Sequence, residues 1–388
     1  MRRILVKLIA LRIFANAEGE AMKHILLLDT SVGSLNMGDE IIGRSIEVNW
    51  PELFSFNYVM NLATHTPMYT PFQYLLYKRK LSIFKGADIK FLCGTNALYT
   101  NMLRPLPTWN INYLNCGMAA GAVCLGVGAG VNSRGVNHYT RALYRKVLAG
   151  DVVHSARDER SRRLLESLGL RAWNTGCPTL WGLTPEHCEA IARTKGDEVV
   201  FTLTSYHPDP RKDRTMIDVL RRHYSRLHFW PQSIKDLDYL HSLGATDDVE
   251  IVPPNLAGFQ AVLDRGADYV GNRLHGGIFA LQRRRRAIIV AIDYRAREMG
   301  KDYSLPLVER DSIETDLADM VEASWPTRID GLDFDLIEAW KAQFGVGESS
   351  GPYCVLAGQY SGLCFGGSGG QGGVLGPHAL VHECLDGW

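Results

Sequence analysis

An arginine and a histidine stand two positions apart where an apolar run gives way to a helical pattern, in Asp268-Tyr-Val-Gly-Asn-Arg-Leu-His-Gly-Gly-Ile-Phe-Ala-Leu-Gln282. Backbone N–H groups in the first turn of a helix have no intrahelical partner, and the helix dipole adds partial positive charge there. A phosphate or carboxylate is therefore held readily. Arg273 can add a two-pronged donor to such an anion. Gly276 and Gly277 remove two side chains that would stand between a ligand and the backbone, and His275 is the side chain that titrates most easily near neutral pH. The pattern reads as an anion site with a proton donor. Two plainer readings stay open at this point: an Arg273 that only pairs with Asp268 or Asp293, and a His275 that only completes a structural network.

Four other stretches carry related chemistry. Asn36-Met-Gly-Asp39-Glu follows the first apolar run, where Asn36 and Gly38 suit a turn and Asp39 a helix start; the same loop sits where α/β sheets bind ligands, so a lining role is expected beside a capping one. Gly126-Val-Gly128-Ala-Gly130 lacks the Gly-x-Gly-x-x-Gly spacing and a well-placed acidic residue downstream, which points to close backbone approach to a ligand or a neighbouring loop and away from a nicotinamide site. In Ser155-Ala-Arg157-Asp158-Glu-Arg-Ser161, Arg157 can donate to an anionic substrate while Asp158 or Ser161 caps the next helix, or Arg157 and Asp158 can pair to fix the turn. Tyr206-His207 and Trp230-Pro-Gln232 each follow an apolar run, at the edge where such sheets expose ligand loops; His207 is a second histidine candidate, and an exposed turn is an equal alternative.

The elements that must position these groups alternate in type. Apolar runs at Ile25–Asp29, Ile89–Cys93, Ala122–Val127 and Asp151–Ser155 read as buried strands, with helical spacing over 38–46 and 161–168. A polar stretch, Pro185–Gly196, precedes a second set: strands over 198–204, 226–230, 268–270 and 287–292, and helices over 213–223, 234–243 and 258–266. Alternation of this kind predicts an α/β fold of two doubly wound Rossmann-like domains facing a cleft, over 22–185 and 196–312. A helical segment over 313–344 is expected to cross back onto the first domain, and the glycine-rich 345–388 reads as a flexible tail.

Composition narrows the function classes. The 388 residues carry 42 Lys+Arg and 42 Asp+Glu, so no general electrostatic grip on nucleic acid or anionic lipid is expected. The one dense basic run, Arg283–Arg286, reads as a solvated helix C-terminus favoured by the dipole, with contact to a membrane surface or an acidic polymer as the lesser alternative. Eight cysteines show no Cys-x-x-Cys pair and no repeating spacing, which argues against zinc and against a disulfide framework and favours a reducing, cytoplasmic setting. Residues 1–21 mimic a signal peptide, but Lys7 and Arg12 interrupt its apolar core; an N-terminal extension is favoured over a basic amphipathic segment that touches membrane.

Taken in order, Asn-x-Gly-Asp-Glu after the first strand, the glycine-rich strand end, Ser-x-Arg-Asp-x-x-Ser, a Gln after a later strand and Arg-Leu-His-Gly resemble the polysaccharide pyruvyl transferase family over about 23–302. The resemblance implies a fold similar to GT-B glycosyltransferases, phosphoenolpyruvate as donor, and a saccharide or lipid-linked glycan as acceptor of a pyruvate ketal in cell-surface or exopolysaccharide biosynthesis. It implies no metal and no cofactor beyond this co-substrate, and peripheral contact with membrane-bound glycan machinery. Arg273, Leu274 and His275 match the family's donor-binding Arg-Leu-His, with Gly276 beside them, and Arg157 matches its Arg-Asp arginine. Asn36, Asp39, Gly128, His207 and Gln232 would line the cleft or the acceptor site. His275 is the candidate general acid, its charged form favoured by bound phosphate against the pull of the helix dipole. Cys177-Pro178 stands where many members have Asp-Pro, which bears on acceptor recognition or the hinge. A GT-B glycosyltransferase, a sugar-nucleotide epimerase and a non-catalytic carbohydrate-binding relative share the same expected fold and stay open.

Overall fold

Short aliphatic runs bounded by polar turns form the central strands, and among the described residues every pairing between strands is parallel. The computed structural model describes residues 22–346, apart from 56, 67–70, 106 and 131–134. The 1–21 extension and all but two residues of the 345–388 tail lie outside the described residues.

The first sheet contains β1 (His24–Asp29), β2 (Tyr58–Ala63), β3 (Ile89–Cys93) and β4 (Ala122–Leu125), in the order β2-β1-β3-β4. The second contains β5 (Glu198–Thr202), β6 (Arg226–Phe229), β7 (Val249–Ile251), β8 (Asp268–Gly271), β9 (Ala287–Ala291) and β10 (Leu307–Glu309), in the order β7-β6-β5-β8-β9-β10. Strand order therefore reverses between β1 and β3 in one sheet and between β5 and β8 in the other. These switch points open a crevice at the strands' carboxyl ends.

Side chains alternate across each strand, so each sheet carries two apolar faces. Val199, Phe201, Val270, Ile288 and Val290 pack with Met216, Ile217 and Leu317 on one side of the second sheet. Their alternates Val200, Tyr269, Ala287 and Ile289 join Ile25, Leu27, Phe91 and Val123 of the first sheet in one core that runs between the sheets. Residues 22–346 accordingly lie in one compact unit. The helix Phe334–Ala342 belongs to that shared core through Trp340, which packs against Trp50 and Phe91 and donates its indole N–H to Val153 O at 2.7 Å.

Two helices in the shared layer matter most. Met37–Asn49 buries Ile41, Ile42 and Ile46; Leu274–Gln282 is apolar almost all round because it lies between the second sheet and the first helix. Gln282 Nε2 reaches Ser45 Oγ at 3.0 Å near their C-terminal ends, and their N-terminal ends meet at Gly38 and His275. The helices thus run side by side in the same direction, with both positive dipole ends at the crevice.

The basic run departs from expectation. Arg283 does lie outside, paired with Asp264, but Arg286 is buried. It stacks 4.5 Å from the Trp325 ring and donates to the carbonyls of Met320, Val321 and Ala323, capping the C-terminus of the helix Ile313–Glu322. No helix among the described residues is long and apolar enough to cross a membrane.

Candidate active site

Asn36 is the cap of the first helix: its side-chain oxygen accepts from Gly38 N at 3.1 Å and from Gln232 Nε2 at 2.9 Å. Met37 N donates to Gln232 O at 2.8 Å, and Asn36 and Ser233 form an antiparallel bridge. The two sequence candidates Asn36 and Gln232, 196 positions apart, therefore clasp the two sheets' loops together. Asp39 lies one turn in, buried, and accepts from Ser34 Oγ at 2.6 Å; burial pushes its carboxyl above the usual range against the pull of Ser34, His65 and Arg295. Gly38 is required by close approach, since a Cβ there would sit 2.9 Å from Gln232 Nε2 and 3.3 Å from His275 Nδ1.

Arg273 caps the second helix only by position; no side chain accepts from that helix's first amides. Its partner is neither Asp268 nor Asp293. Nε donates to Leu203 O at 3.2 Å and to Asp236 Oδ2 at 3.1 Å, and Nη2 bridges both Asp236 oxygens. Asp236, fully buried, also accepts from Ser205 N at 3.1 Å and Ser233 N at 2.9 Å. One carboxylate thus ties together the loops that follow β5, β6 and β8. The clip occupies Nε and Nη2 of Arg273, and Nη1 makes no hydrogen bond to a described residue. The reading of the glycines beside it is corrected: a Cβ on Gly277 would lie 2.4 Å from Ile289, and one on Gly276 3.0 Å from Gln232 Oε1 and 3.1 Å from Tyr269 Oη. They let protein pack on protein. Leu274 likewise packs against the shared core.

Arg157 presents the opposite case. It is fully buried, its Nη2 donates to Asn96 Oδ1 at 2.7 Å, and Nε and Nη2 lie 3.3 Å from Asp158 Oδ2. Nη1 has no protein partner. Asp158 is itself occupied as the cap of Glu159–Ser167, accepting from Ser161 N at 2.8 Å. The guanidinium lies flat against Gly128, where a Cβ would come within 2.3 Å of Nη2. That close approach explains the glycine-rich strand end: Gly126 meets Pro178 and Gly130 meets Tyr99 in the same way, which is the neighbouring-loop reading.

His275 is buried between these groups, its Nε2 3.9 Å from Cys177 Sγ. Burial, then the charges of Arg157 and Arg295, pull its imidazole from 6.5 down to about 3. The two helix dipoles act in the same direction. The ring is therefore neutral at pH 7. Beside it, Gln232 Oε1 is a buried acceptor with no protein partner, as Arg157 Nη1 is a buried donor with none. Orphaned buried groups of opposite kind next to a titratable ring are the mark of a site built for a polar ligand.

A crevice of about 590 Å³ opens beside them, lined from one half by Asn96, Tyr99 and Arg104 and from the other by Tyr206, Tyr294 and Arg295. His207 also lines it, exposed at the rim with its ring against Tyr206. Arg295 escapes a sequence reading. It follows β9, donates to Asp293 Oδ2 at 2.6 Å and to Tyr206 Oη at 2.7 Å, and shares the Tyr206 ring with Arg273, the two guanidiniums lying 5.8 and 4.9 Å from its centroid. The only signal was position: Asp293-Tyr-Arg295 stands at a strand's carboxyl end, as the other site loops do. Among the described residues no group of three or more His, Cys, Asp or Glu is placed to hold a metal ion, and the five described cysteines are free and buried.

Two doubly wound sheets that meet at their switch points, with paired helix N-termini, buried arginines and a neutral histidine, define an α/β protein with an anion-binding crevice. The family comparison places this class more closely: residues 36–294 match the model for polysaccharide pyruvyl transferase, and the chain belongs to that family. Comparison with curated proteins found no match. Among solved structures, the UDP-GlcNAc 2-epimerase of Methanocaldococcus jannaschii is similar at 12% identity and a TM-score of 0.49, covering 83% of this chain and 100% of that one. An S. aureus MnaA–UDP co-structure is similar at 11% identity and a TM-score of 0.45, covering 84% and 98%. The E. coli heptosyltransferase WaaC with ADP-2-deoxy-2-fluoro heptose is similar at 14% and 0.34, covering 74% and 92%.

Proposed function

We propose that the protein transfers the carboxyethylidene group of phosphoenolpyruvate to two hydroxyls of a saccharide, releasing phosphate and leaving a pyruvate ketal. The observation that carries this reading is the buried Arg157, whose unpartnered Nη1 lies in a site where the neutral His275 already feels its charge. Phosphoenolpyruvate brings a carboxylate and a phosphate. Arg157, Arg295 and the uncapped amides of Leu274–Gln282 supply positive charge for both, which lowers the electrostatic resistance to an incoming hydroxyl. Arg273 acts one step back, holding three loops in register through Asp236.

The chemistry balances as follows. A proton from His275 goes to the methylene carbon of the donor while a sugar hydroxyl adds to the adjacent carbon and loses its own proton. The C–O bond to phosphate then breaks, phosphate departs as the monohydrogen form with the first hydroxyl's proton, and the second hydroxyl closes the ketal as its proton returns to His275. His275 must first be charged. Burial is the largest cause that keeps the ring neutral; donor anions offset the next two, the charges of Arg157 and Arg295, and add an attracting charge, so substrate binding moves His275 towards its acid form. Gln232 Oε1, buried without a protein partner, supports a role as acceptor of a sugar hydroxyl's hydrogen bond.

Phosphate release from phosphoenolpyruvate, measured with a panel of free and lipid-linked glycans, tests the reading. His275→Gln is expected to lower kcat by about 10²- to 10⁴-fold while leaving donor binding largely intact. Wild-type turnover by that variant would remove His275 from the mechanism. Absence of both donor binding and phosphate release with every acceptor, combined with saturation by a nucleotide sugar, would replace pyruvyl transfer by sugar-nucleotide chemistry.

A further inference from the structure

Between His65 and Asp88 the chain carries Lys78, Arg79, Lys80 and Lys85 and no acidic residue, although its basic and acidic residues cancel overall. Two short helices, Pro71–Leu76 and Lys78–Lys85, form here. Leu81 is buried and Phe84 partly so, which anchors the second helix, while Phe72, Leu76, Tyr77 and Ile83 are 50 to 68% exposed. Scattered exposed apolar residues need no explanation, but four within twelve residues do. Lys78 and Arg79 are exposed and have no acidic partner among the described residues.

The patch does not end there. Lys78–Lys85 packs against the turn Cys116–Met118, and the loop before that turn exposes Leu114 at 71%, Leu103 at 63% and Tyr113 at 42%. Lys146 lies 5.6 Å over the Tyr113 ring. The same loop supplies Arg104 and Pro105 to the crevice lining. Exposed apolar side chains and cations thus occur together on the two helices and on the loop before the turn that Lys78–Lys85 packs against, and that loop also lines the mouth of the candidate active site. Apolar side chains flanked by lysine and arginine without acidic partners suit the headgroup region of a negatively charged bilayer, where the apolar groups enter the acyl boundary and the cations meet lipid phosphates.

We propose that this face docks on an anionic lipid bilayer. Docking holds the crevice mouth at the membrane surface, where a saccharide carried on a lipid would reach Arg104 and Tyr99. The docking stands on the surface itself and is independent of the donor; only the lipid-carried acceptor rests on the pyruvyl-transfer reading.

Flotation of the full-length protein with vesicles tests it, without phosphoenolpyruvate or acceptor, so that its outcome is separate from that of the transfer assay. Wild type should float with phosphatidylcholine vesicles that contain phosphatidylglycerol, should not float with phosphatidylcholine alone, and should be released by salt. Lys78→Gln with Arg79→Gln should weaken binding roughly thirtyfold, from about fivefold per charge. Phe72→Ser with Ile83→Ser should weaken it roughly tenfold or more. Both pairs should keep the wild-type melting temperature and phosphate release with a soluble acceptor. No flotation of wild type, equal flotation of both double variants, or a wild-type dimer that Phe72→Ser with Ile83→Ser turns into a monomer would each overturn the proposal, the last by assigning the face to a second copy of the chain.

Discussion

Arg157 and Arg273 are both buried arginines at the carboxyl ends of strands, one from each half, yet they are finished differently. Arg273 has its Nε and Nη2 on Asp236 and Leu203, and Asp236 is completed by backbone donors from two more loops. Arg157 shares an aspartate that is already engaged as a helix cap and keeps Nη1 without a protein partner. A cation whose Nε and Nη2 lie on a carboxylate shared by three loops organises structure, with Nη1 alone left over. One left with a free donor in a low-dielectric site is held ready for an anion. The distinction separates architecture from ligand chemistry inside one crevice.

The largest effect that bears on this contrast is expected from Arg273→Ala, which leaves Asp236 charged and buried; denaturant unfolding should show a loss of about 3–5 kcal/mol. The paired variant Arg273→Leu with Asp236→Leu should lose less than the single one, and equal loss would show that the ion pair is not what joins the loops. Activity of Arg273→Ala is consequently a poor test of catalysis by itself.

Arg157→Lys should invert the pattern. It keeps a charge but loses the fork, so phosphate release should fall by about 10²-fold, roughly 2.7 kcal/mol, with the melting temperature close to wild type. A large stability loss with normal kinetics would make Arg157 structural and erase the contrast.

Acid titration gives the third test. His275 sits at about 3 in the fold against 6.5 unfolded, so between those values the unfolded chain takes up a proton that the folded chain refuses. Stability then falls as pH drops from 6.5 towards 3, by up to about 1.4 kcal/mol per pH unit from this group. His275→Gln should be flatter than wild type across that window in equilibrium unfolding, and identical slopes would show that His275 is not held neutral. The smallest effect is expected from Tyr206→Phe, which removes one hydrogen bond to Arg295 while keeping the ring between the two guanidiniums; about 1 kcal/mol in donor affinity, read by titration calorimetry, is the expected change.

What could be read before folding follows from burial. β3 was legible as Ile89–Cys93 because its neighbours bury both faces and its composition is almost wholly apolar. β2 was not, since Tyr58–Ala63 is an edge strand with exposed and half-buried positions and a central Asn61 that blurs its period. The site divides in the same way. Arg273 and His275 announce themselves by lying in one strand-to-helix turn, whereas Asp236 is 37 positions from Arg273, within an ordinary amphipathic helix, and nothing local marks it as a partner. The glycines were visible as glycines, but whether ligand or protein occupies the space beside them was set by Ile289, Tyr269 and Gln232 arriving from other elements.

The sequence by itself determined the alternation of strand and helix, the strand-end loops that carry the polar groups, and the ordered motifs of the family, because periodicity and turn chemistry are local. Tertiary structure alone decided which arginine shares its aspartate with three loops and which keeps a buried donor without a protein partner, that the histidine is neutral, and that Arg295 joins the site. Those properties depend on charges and burial contributed by residues far apart in the chain, and only packing the two sheets around one core sets their distances.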